Sequence, residues 1–177
     1  TSIRDNICSS NINLAKRFKL MGNIPIQPTA GEPLSGFDSF TGLDSAVFGH
    51  PKIQLKTVAT PSQSLPKILT TTGACTLPNY TDSKAGHKGD FHHSLAALVL
   101  EIGDENDDLF HIRHIHADDV TGAFYDLNYY YTGNDCKKVD RIAALITGDT
   151  HAEFIDEEVL QGTYLAKESI LNVLNPE

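Results

Sequence analysis

A short apolar run that ends abruptly constrains the fold of this chain more than any other feature of its sequence. Residues 142–146 are all apolar, and Gly148 follows two positions later. A run of this length, bounded by a turn residue, is typical of a buried strand. From Asp156 a helical pattern extends to Asn175-Pro176, with apolar residues at helical spacing: Ile155, Val159, Ala166, Ile170 and Val173. Strand, loop and helix in this order predict the start of a parallel α/β unit.

The loop between this strand and helix carries a carboxylate and an imidazole two positions apart, Asp149 and His151. In a parallel α/β unit such a loop lies at the carboxyl end of the strand, so both side chains can turn toward one point. Carboxylate oxygen and neutral imidazole are common ligands of divalent cations. The sequence therefore predicts Asp149 and His151 as metal ligands. In the alternative interpretation, Asp149 caps the helix and His151 lies in an ordinary loop.

Residues 148–153 (GDTHAE) follow two polar segments further upstream, 71–76 (TTGACT) and 79–84 (NYTDSK). On these residues the chain resembles the calcineurin-like metallophosphoesterases. Within that superfamily, the chain is similar to a phage-encoded branch that includes the early DNA-transfer deoxyribonuclease of some tailed phages. The resemblance implies an αββα sandwich that binds two divalent metal ions of the Mn or Mg class and hydrolyses DNA phosphodiester bonds. It also implies that Glu153 orients His151 or a bound water.

The later metal motifs of that family do not follow the first one in this chain. A Gly-Asp, a Gly-Asn-His and a Gly-His-x-His are expected, but residues 152–177 contain no further His. The earlier Gly49-His50-Pro51-Lys52 lacks the second His and is not counted. We therefore expect the chain to be part of a longer protein that supplies the ligands of the second metal. By itself it would hold half of one metal site and be inactive.

The predicted fold is α+β, with a β-rich antiparallel amino-terminal region that leads into the first βα unit of the sandwich. Residues 1–50 are rich in Pro and Gly and predict a loop-rich segment, with a short amphipathic helix near residues 11–18. Residues 51–140 predict an antiparallel β meander, with strands at 53–58, 68–72, 95–102, 109–116 and 122–131. Residues 141–177 predict the first strand and helix of the catalytic domain.

The most polar stretch between two predicted strands is residues 79–93, NYTDSKAGHKGDFHH. We expect a loop here, and one that is longer than a hairpin needs, which is often a sign of function. It could hold a phosphate or line the entrance to the metal site, or it could be a surface loop. The predicted substrate-binding residues are Asn79, Lys84, Lys88, His92 and His93.

Three histidines also crowd one predicted strand, His111, His114 and His116. By strand periodicity His114 and His116 share a face, and with Asp118 or Asp119 they could bind zinc. A polar strand near a sheet edge is the favoured interpretation. The acidic turn at residues 104–108 lacks the Gly and Glu that a calcium loop needs, so we interpret it as a solvated hairpin turn.

Composition limits the partners and the compartment. The net charge of −9 opposes indiscriminate nucleic-acid binding, although DNA as a substrate needs positive potential only at the site. The three cysteines are far apart and odd in number, which favours reduced thiols in a cytoplasm, and the phage resemblance implies that of a bacterial host. No run approaches the roughly 20 apolar residues of a membrane span. Besides the nuclease, a non-catalytic module for oligomerisation or partner binding, with a vestigial metal motif, remains open.

Overall fold

The computed structural model describes residues 5, 7–61, 66–103, 109–139, 146 and 152–166. These residues form a mixed α+β structure with many strands and few helices. The chain divides into two compact units, Thr1–Val120 and Thr121–Glu177. This division precedes residue 141, at which the sequence predicted the start of a new domain.

The first unit is built on a five-stranded mixed sheet with the order β1-β2-β3-β5-β4. The pairs β2–β3 and β3–β5 are parallel, and the pairs β1–β2 and β4–β5 are antiparallel. Within residues 51–140 the pair β4–β5 is antiparallel as predicted, whereas both parallel pairs involve β3, which lies in the segment that was predicted to be loop-rich. The strands are β1 (Asn11–Ala15), β2 (Phe18–Met21), β3 (Ser45–Phe48), β4 (Leu55–Val58) and β5 (Lys67–Thr71).

Strands β1 and β2 form a hairpin where the sequence predicted a short amphipathic helix. Asn11 pairs with Met21, and Ala15 pairs with Phe18 across a bulge. A segment of eight or so residues is too short to be a stable helix unless tertiary packing supports it. Here β2 instead lies beside the fully buried strand β3, and pairing with that strand decides the local conformation.

The core of this unit lies where the long connection from β2 to β3 packs on the sheet. Parallel neighbours cannot be joined by a tight turn, so this connection has to cross over the sheet. Its Leu34 is fully buried with Met21 and Phe48. The ring of Phe37 packs against that of Phe48 at a centroid distance of 4.8 Å. The Pro- and Gly-rich segment is therefore an ordered part of the core.

Two buried polar side chains fix this connection from the sheet side. Lys67 is only 2% exposed, and its ammonium donates to the Gly42 carbonyl at 2.6 Å. His50 is also buried, and its Nδ1 accepts from the backbone N–H of Lys52 at 3.0 Å. A nitrogen that accepts carries no proton, so the Nε2–H of the neutral ring donates to the Gln27 carbonyl at 3.1 Å. Neither role could be predicted from a sequence pattern.

The polar segment 79–93 contains a helix, α1 (Lys84–His92), where the sequence predicted a loop. The Ser83 side chain caps it by accepting from the Gly86 N–H at 3.0 Å. The next two strands, β6 (Ala96–Ile102) and β7 (Phe110–His116), are antiparallel as predicted. They form a separate two-stranded sheet.

The second unit holds a small antiparallel sheet with the order β10-β9-β8. Its strands are β8 (Phe124–Asp126), β9 (Tyr129–Tyr131) and β10 (Cys136–Lys138). The single strand predicted for residues 122–131 is therefore a hairpin. Its turn contains Leu127, with a φ of 51°, a left-handed conformation that lets the chain reverse within two residues.

The predicted closing helix begins where expected but is shorter. A 3₁₀ turn (Ala152–Phe154) leads to α2 (Glu157–Gly162), and the Asp156 carboxylate accepts from the N–H groups of Glu158 and Val159. The helix ends at Gly162, not near Asn175, and Val159 is 53% exposed instead of buried. Ile170, Val173 and Asn175 lie outside the described residues, as does the predicted strand 142–146 except for Ile146, which is 91% exposed.

Candidate functional site

Asp149 and His151, the predicted metal ligands, lie outside the described residues. Glu153 is described, and it is an exposed residue of the 3₁₀ turn Ala152–Phe154. In the part of the chain that the structure describes, no group of three or more His, Cys, Asp or Glu side chains is placed to hold a metal ion. The predicted metal site therefore stays a prediction.

The alternative that Asp149 caps the closing helix is answered by Asp156, which fills the capping position itself. Its Oδ1 lies 2.9 Å from the Glu158 nitrogen and 3.1 Å from the Val159 nitrogen. These are two of the amide groups that a helix start leaves without partners. The carboxylate of Asp149 is not needed for that purpose.

The zinc interpretation of strand β7 has little support among the described residues. The His114 Nε2–H donates to the Thr71 carbonyl at 2.7 Å and also lies 3.2 Å from the Thr70 hydroxyl. An Nε2 that carries this proton cannot bind a metal. His116 is a neighbour at a ring-centroid distance of 6.4 Å. His114 therefore ties the hairpin β6–β7 to β5, which is a structural role.

The predicted substrate-binding segment has two half-buried histidines, His92 and His93, and His93 belongs to a structural network. The His93 Nε2–H donates to the Thr76 carbonyl at 2.8 Å, and its Nδ1 lies 3.0 Å from the Tyr80 hydroxyl. In the neutral ring that Nδ1 accepts the phenol proton, so both ring nitrogens are in use. His93 thus fastens the end of α1 to residues 76–82, which we call the strap.

A cavity of about 500 Å³ lies beside this network in the first unit. Asp90 from α1 and Asp119 both line it, together with apolar strap residues. Burial, followed by the charge of Asp90, raises the pKa of Tyr80 above its usual value. Negative charge of this kind repels phosphate. The complete lining is Thr76, Leu77, Pro78, Asp90, His93, Leu95 and Asp119.

A second cavity, of about 330 Å³, shares Pro78 and Asp90 with the first and includes Asn79. It also contains the contact between His87 Nε2 and Asp82 Oδ1, which lie 2.8 Å apart. Of the five predicted substrate-binding residues, Asn79 and His93 therefore line cavities. Lys84, Lys88 and His92 are absent from both linings.

Lys88 and His92 belong to a different surface of the same helix. The Lys88 ammonium lies over Gly31, where a Cβ would come within 2.4 Å of its nitrogen. Lys52 also donates to the Gly31 carbonyl and pairs with Glu32. A hydrogen bond from Gln54 and then the charge of Lys52 lower the pKa of Glu32, and His92 adds a smaller effect of the same sign. The predicted binding segment therefore contributes to two surfaces. One is the acidic surface of the cavities beside Asp90, and the other has mixed charge and lies around Gly31 and Glu32.

No helix in the described part of the chain combines the length and the apolar character that crossing a membrane requires.

Comparison with known proteins gives one informative similarity. The chain is 35% identical over 157 residues to the protein named Protein A1 of Escherichia phage T5. The match covers 86% of this chain but 28% of that protein, so the chain spans less than a third of its relative's length. No protein-family model matches the chain, and no solved structure is significantly similar to it. The chain is therefore similar to part of a phage protein.

Proposed function

We propose that the chain is part of a metal-dependent phosphodiesterase of the calcineurin-like type, with DNA as its substrate. The observation that carries the proposal is the sequence Gly148-Asp149-Thr150-His151, directly after an apolar run. Two further facts support it. A phage protein is similar over most of the chain, and α2 begins six residues after His151, in the order loop and then helix that the motif requires.

The donor set suits the ions that this chemistry uses. One carboxylate and one imidazole fit Mn²⁺, and the carboxylate alone also fits Mg²⁺. Two side chains cannot complete a site for two metals, so other parts of the protein would supply the remaining ligands. When bound, the two ions would activate a water and neutralise charge on the reacting phosphate. Asp149 and His151 would hold and position the first ion.

We propose that Glu153 acts through His151 and does not itself bind a metal. It is exposed on the 3₁₀ turn, two residues after His151, where its carboxylate can accept a hydrogen bond from an imidazole N–H or from water. Such a bond would fix the orientation of the His151 ring. Loss of an orienting partner of this kind typically costs about 10- to 100-fold in metal affinity or activity.

The test compares single variants of the complete protein in Mn-dependent hydrolysis of DNA. Asp149→Asn should lower turnover by more than about 100-fold, because even orienting partners account for up to about that factor. His151→Ala should behave alike and recover in part at higher metal concentration. Glu153→Gln should lose less than either.

The matched control is Asp156→Asn, which removes a carboxylate close to the motif. Asn caps a helix about as well as Asp, so α2 should stay intact and activity should stay near that of the unmodified protein. Unchanged turnover in Asp149→Asn would contradict the proposal. A non-catalytic module would then be the better interpretation.

A further inference from the structure

The small sheet of the second unit presents an unusual concentration of aromatic rings. Five of the six residues in β8 and β9 are aromatic, and each of them is exposed or half-buried. Two lysines lie on the adjacent strand β10. Rings of this size are normally buried, and a group of them left in water marks a contact surface.

The strand register sorts these side chains into two faces. Tyr125 pairs with Tyr130, and Tyr130 pairs with Lys137, so these three residues form one row across the sheet. Successive residues of a strand point to opposite faces, which places their neighbours on the other side. We call the row of Tyr125, Tyr130 and Lys137 the tyrosine–lysine face.

The opposite face is of a different kind. Phe124 stacks on Tyr131 with their ring centroids 4.9 Å apart and an interplanar angle of 15°. Burial, and then the Cys136 thiol, raise the pKa of Tyr131. Asp126, the one acidic residue in these three strands, also belongs to this face. These two rings pack against each other, and Asp126, Tyr129 and Lys138 form the next row of the same face.

On the tyrosine–lysine face Tyr125 is open to solvent and Tyr130 is half-buried. The centroids of Tyr125 and Tyr130 are 4.6 Å apart, with the rings tilted by 37°. Tyr125 is 63% exposed, and the next residue in the row, Lys137, is also exposed. The face therefore offers two adjoining aromatic surfaces and a cation in line.

We propose that the tyrosine–lysine face binds single-stranded DNA. Its bases would stack on the rings of Tyr125 and Tyr130, and a backbone phosphate would pair with Lys137. Aromatic stacking combined with a cation on the backbone path is the usual means of holding a single strand. In a duplex the base faces are already stacked, so an intact duplex cannot use these rings. This inference rests on the proposed function and specifies the form of DNA that the protein contacts.

The experiment measures binding of a fluorescent oligothymidine to the complete protein in a metal chelator, so that hydrolysis does not interfere. Tyr125→Val and Tyr130→Val retain a residue suited to strands but remove a ring. Each should weaken binding by about 5- to 150-fold, the value of one stacked base. Tyr125→Phe keeps the ring and should bind normally. Lys137→Ala should reduce the salt dependence by about 0.7 units in the logarithmic slope.

Tyr129→Val is the matched control, because it removes a partly exposed tyrosine from the opposite face of the same sheet. It should bind like the unmodified protein, and thermal unfolding should show that every variant is folded. Unchanged binding in Tyr125→Val overturns the inference, as does an equal loss in Tyr129→Val. If Tyr125→Val changes the molar mass measured by sedimentation but not the binding of DNA, the face is an interface between copies of the chain. That result also overturns the inference.

The outcome separates this inference from the proposed function. If the protein binds no single-stranded DNA in chelator but hydrolyses DNA when loaded with metal, the proposal for the tyrosine–lysine face is wrong and the enzyme assignment stands. If the single strand binds as described but no hydrolysis occurs with any metal, the surface stands and the enzyme assignment is wrong.

Discussion

The close packing of α1 on the strap predicts that an alanine at position 86 destabilises the protein. Gly86 is buried in the helix, and the Thr81 carbonyl oxygen lies where its Cβ would be. In Gly86→Ala the new Cβ would be 1.8 Å from that oxygen, whereas real Cβ contacts stay above 3.0 Å. The strap must therefore move by at least 1.2 Å, the difference between these distances.

Two opposing effects decide the outcome. Alanine favours a helix over glycine by about 1 kcal/mol. Against this, the atom that must move belongs to the backbone and already accepts from the Ser83 N–H at 2.8 Å. Overpacking of this kind typically costs about 1–3 kcal/mol, and the lost hydrogen bond adds about 1 kcal/mol. We expect Gly86→Ala to destabilise the protein by about 1–3 kcal/mol.

The assay is urea denaturation followed by circular dichroism. Gly162→Ala is the control, because the Cβ of this helical residue would have nothing within 4 Å. Only the propensity effect remains there, so Gly162→Ala should be neutral or stabilising by up to about 1 kcal/mol. A Gly86→Ala variant as stable as the unmodified protein would refute the close approach of the strap to α1.

Two further predictions concern charged side chains. Lys67→Met should destabilise the protein by about 1–3 kcal/mol in the same urea assay, because it removes the charge-assisted hydrogen bond from the buried Lys67 ammonium to the Gly42 carbonyl. Lys56→Met, at an exposed ion pair, should change stability by less than about 1 kcal/mol. The pKa of Glu32 is lowered in the folded protein. Its carboxylate therefore contributes to stability above pH 4.5, the usual pKa, and this contribution is lost as the pH falls through the lowered pKa. Stability measured across acid pH should therefore fall less steeply in Glu32→Gln, and an identical pH profile would contradict this pairing.

Sequence periodicity predicted the strands whose pattern is local. The alternation at residues 53–58 and the β-branched run at 68–72 correspond to β4 and β5, and the hairpin β6–β7 has the predicted bounds within one residue. Periodicity could not show that β3 lies between β2 and β5 in parallel, since this depends on pairing between distant segments. It also missed the hairpin β1–β2, which is stabilised by its neighbour β3.

The helix α1 was missed for a different reason. Its two glycines, Gly86 and Gly89, count against a helix on any propensity scale. In the structure they allow close packing on Thr81 and Tyr80, which outweighs that cost. The one sequence signal for this helix was Ser83, a preferred capping residue immediately before it.

Candidate binding residues were harder to predict because their chemistry depends on distant backbone groups. The sequence marks His93 and His114 as available ligands, but Thr76 and Thr71 supply carbonyls that take up their Nε2–H groups. These carbonyls lie 17 and 43 positions from their histidines in the sequence, and no sequence motif marks them. Composition also could not show that the cavity beside His93 would be acidic.

The net charge of the chain limits how the protein could hold DNA under the proposed function. A chain with a net charge of −9 gains little from long-range attraction to phosphate, and the cavity lined by Asp90 and Asp119 opposes it locally. The proposed binding would then depend on short-range contacts that tolerate salt, and stacking on the exposed tyrosine would be such a contact. A surface with one cation in its row, Lys137, gives a salt dependence of less than one logarithmic unit. A steep salt dependence would instead require several lysines, which the tyrosine–lysine face does not provide.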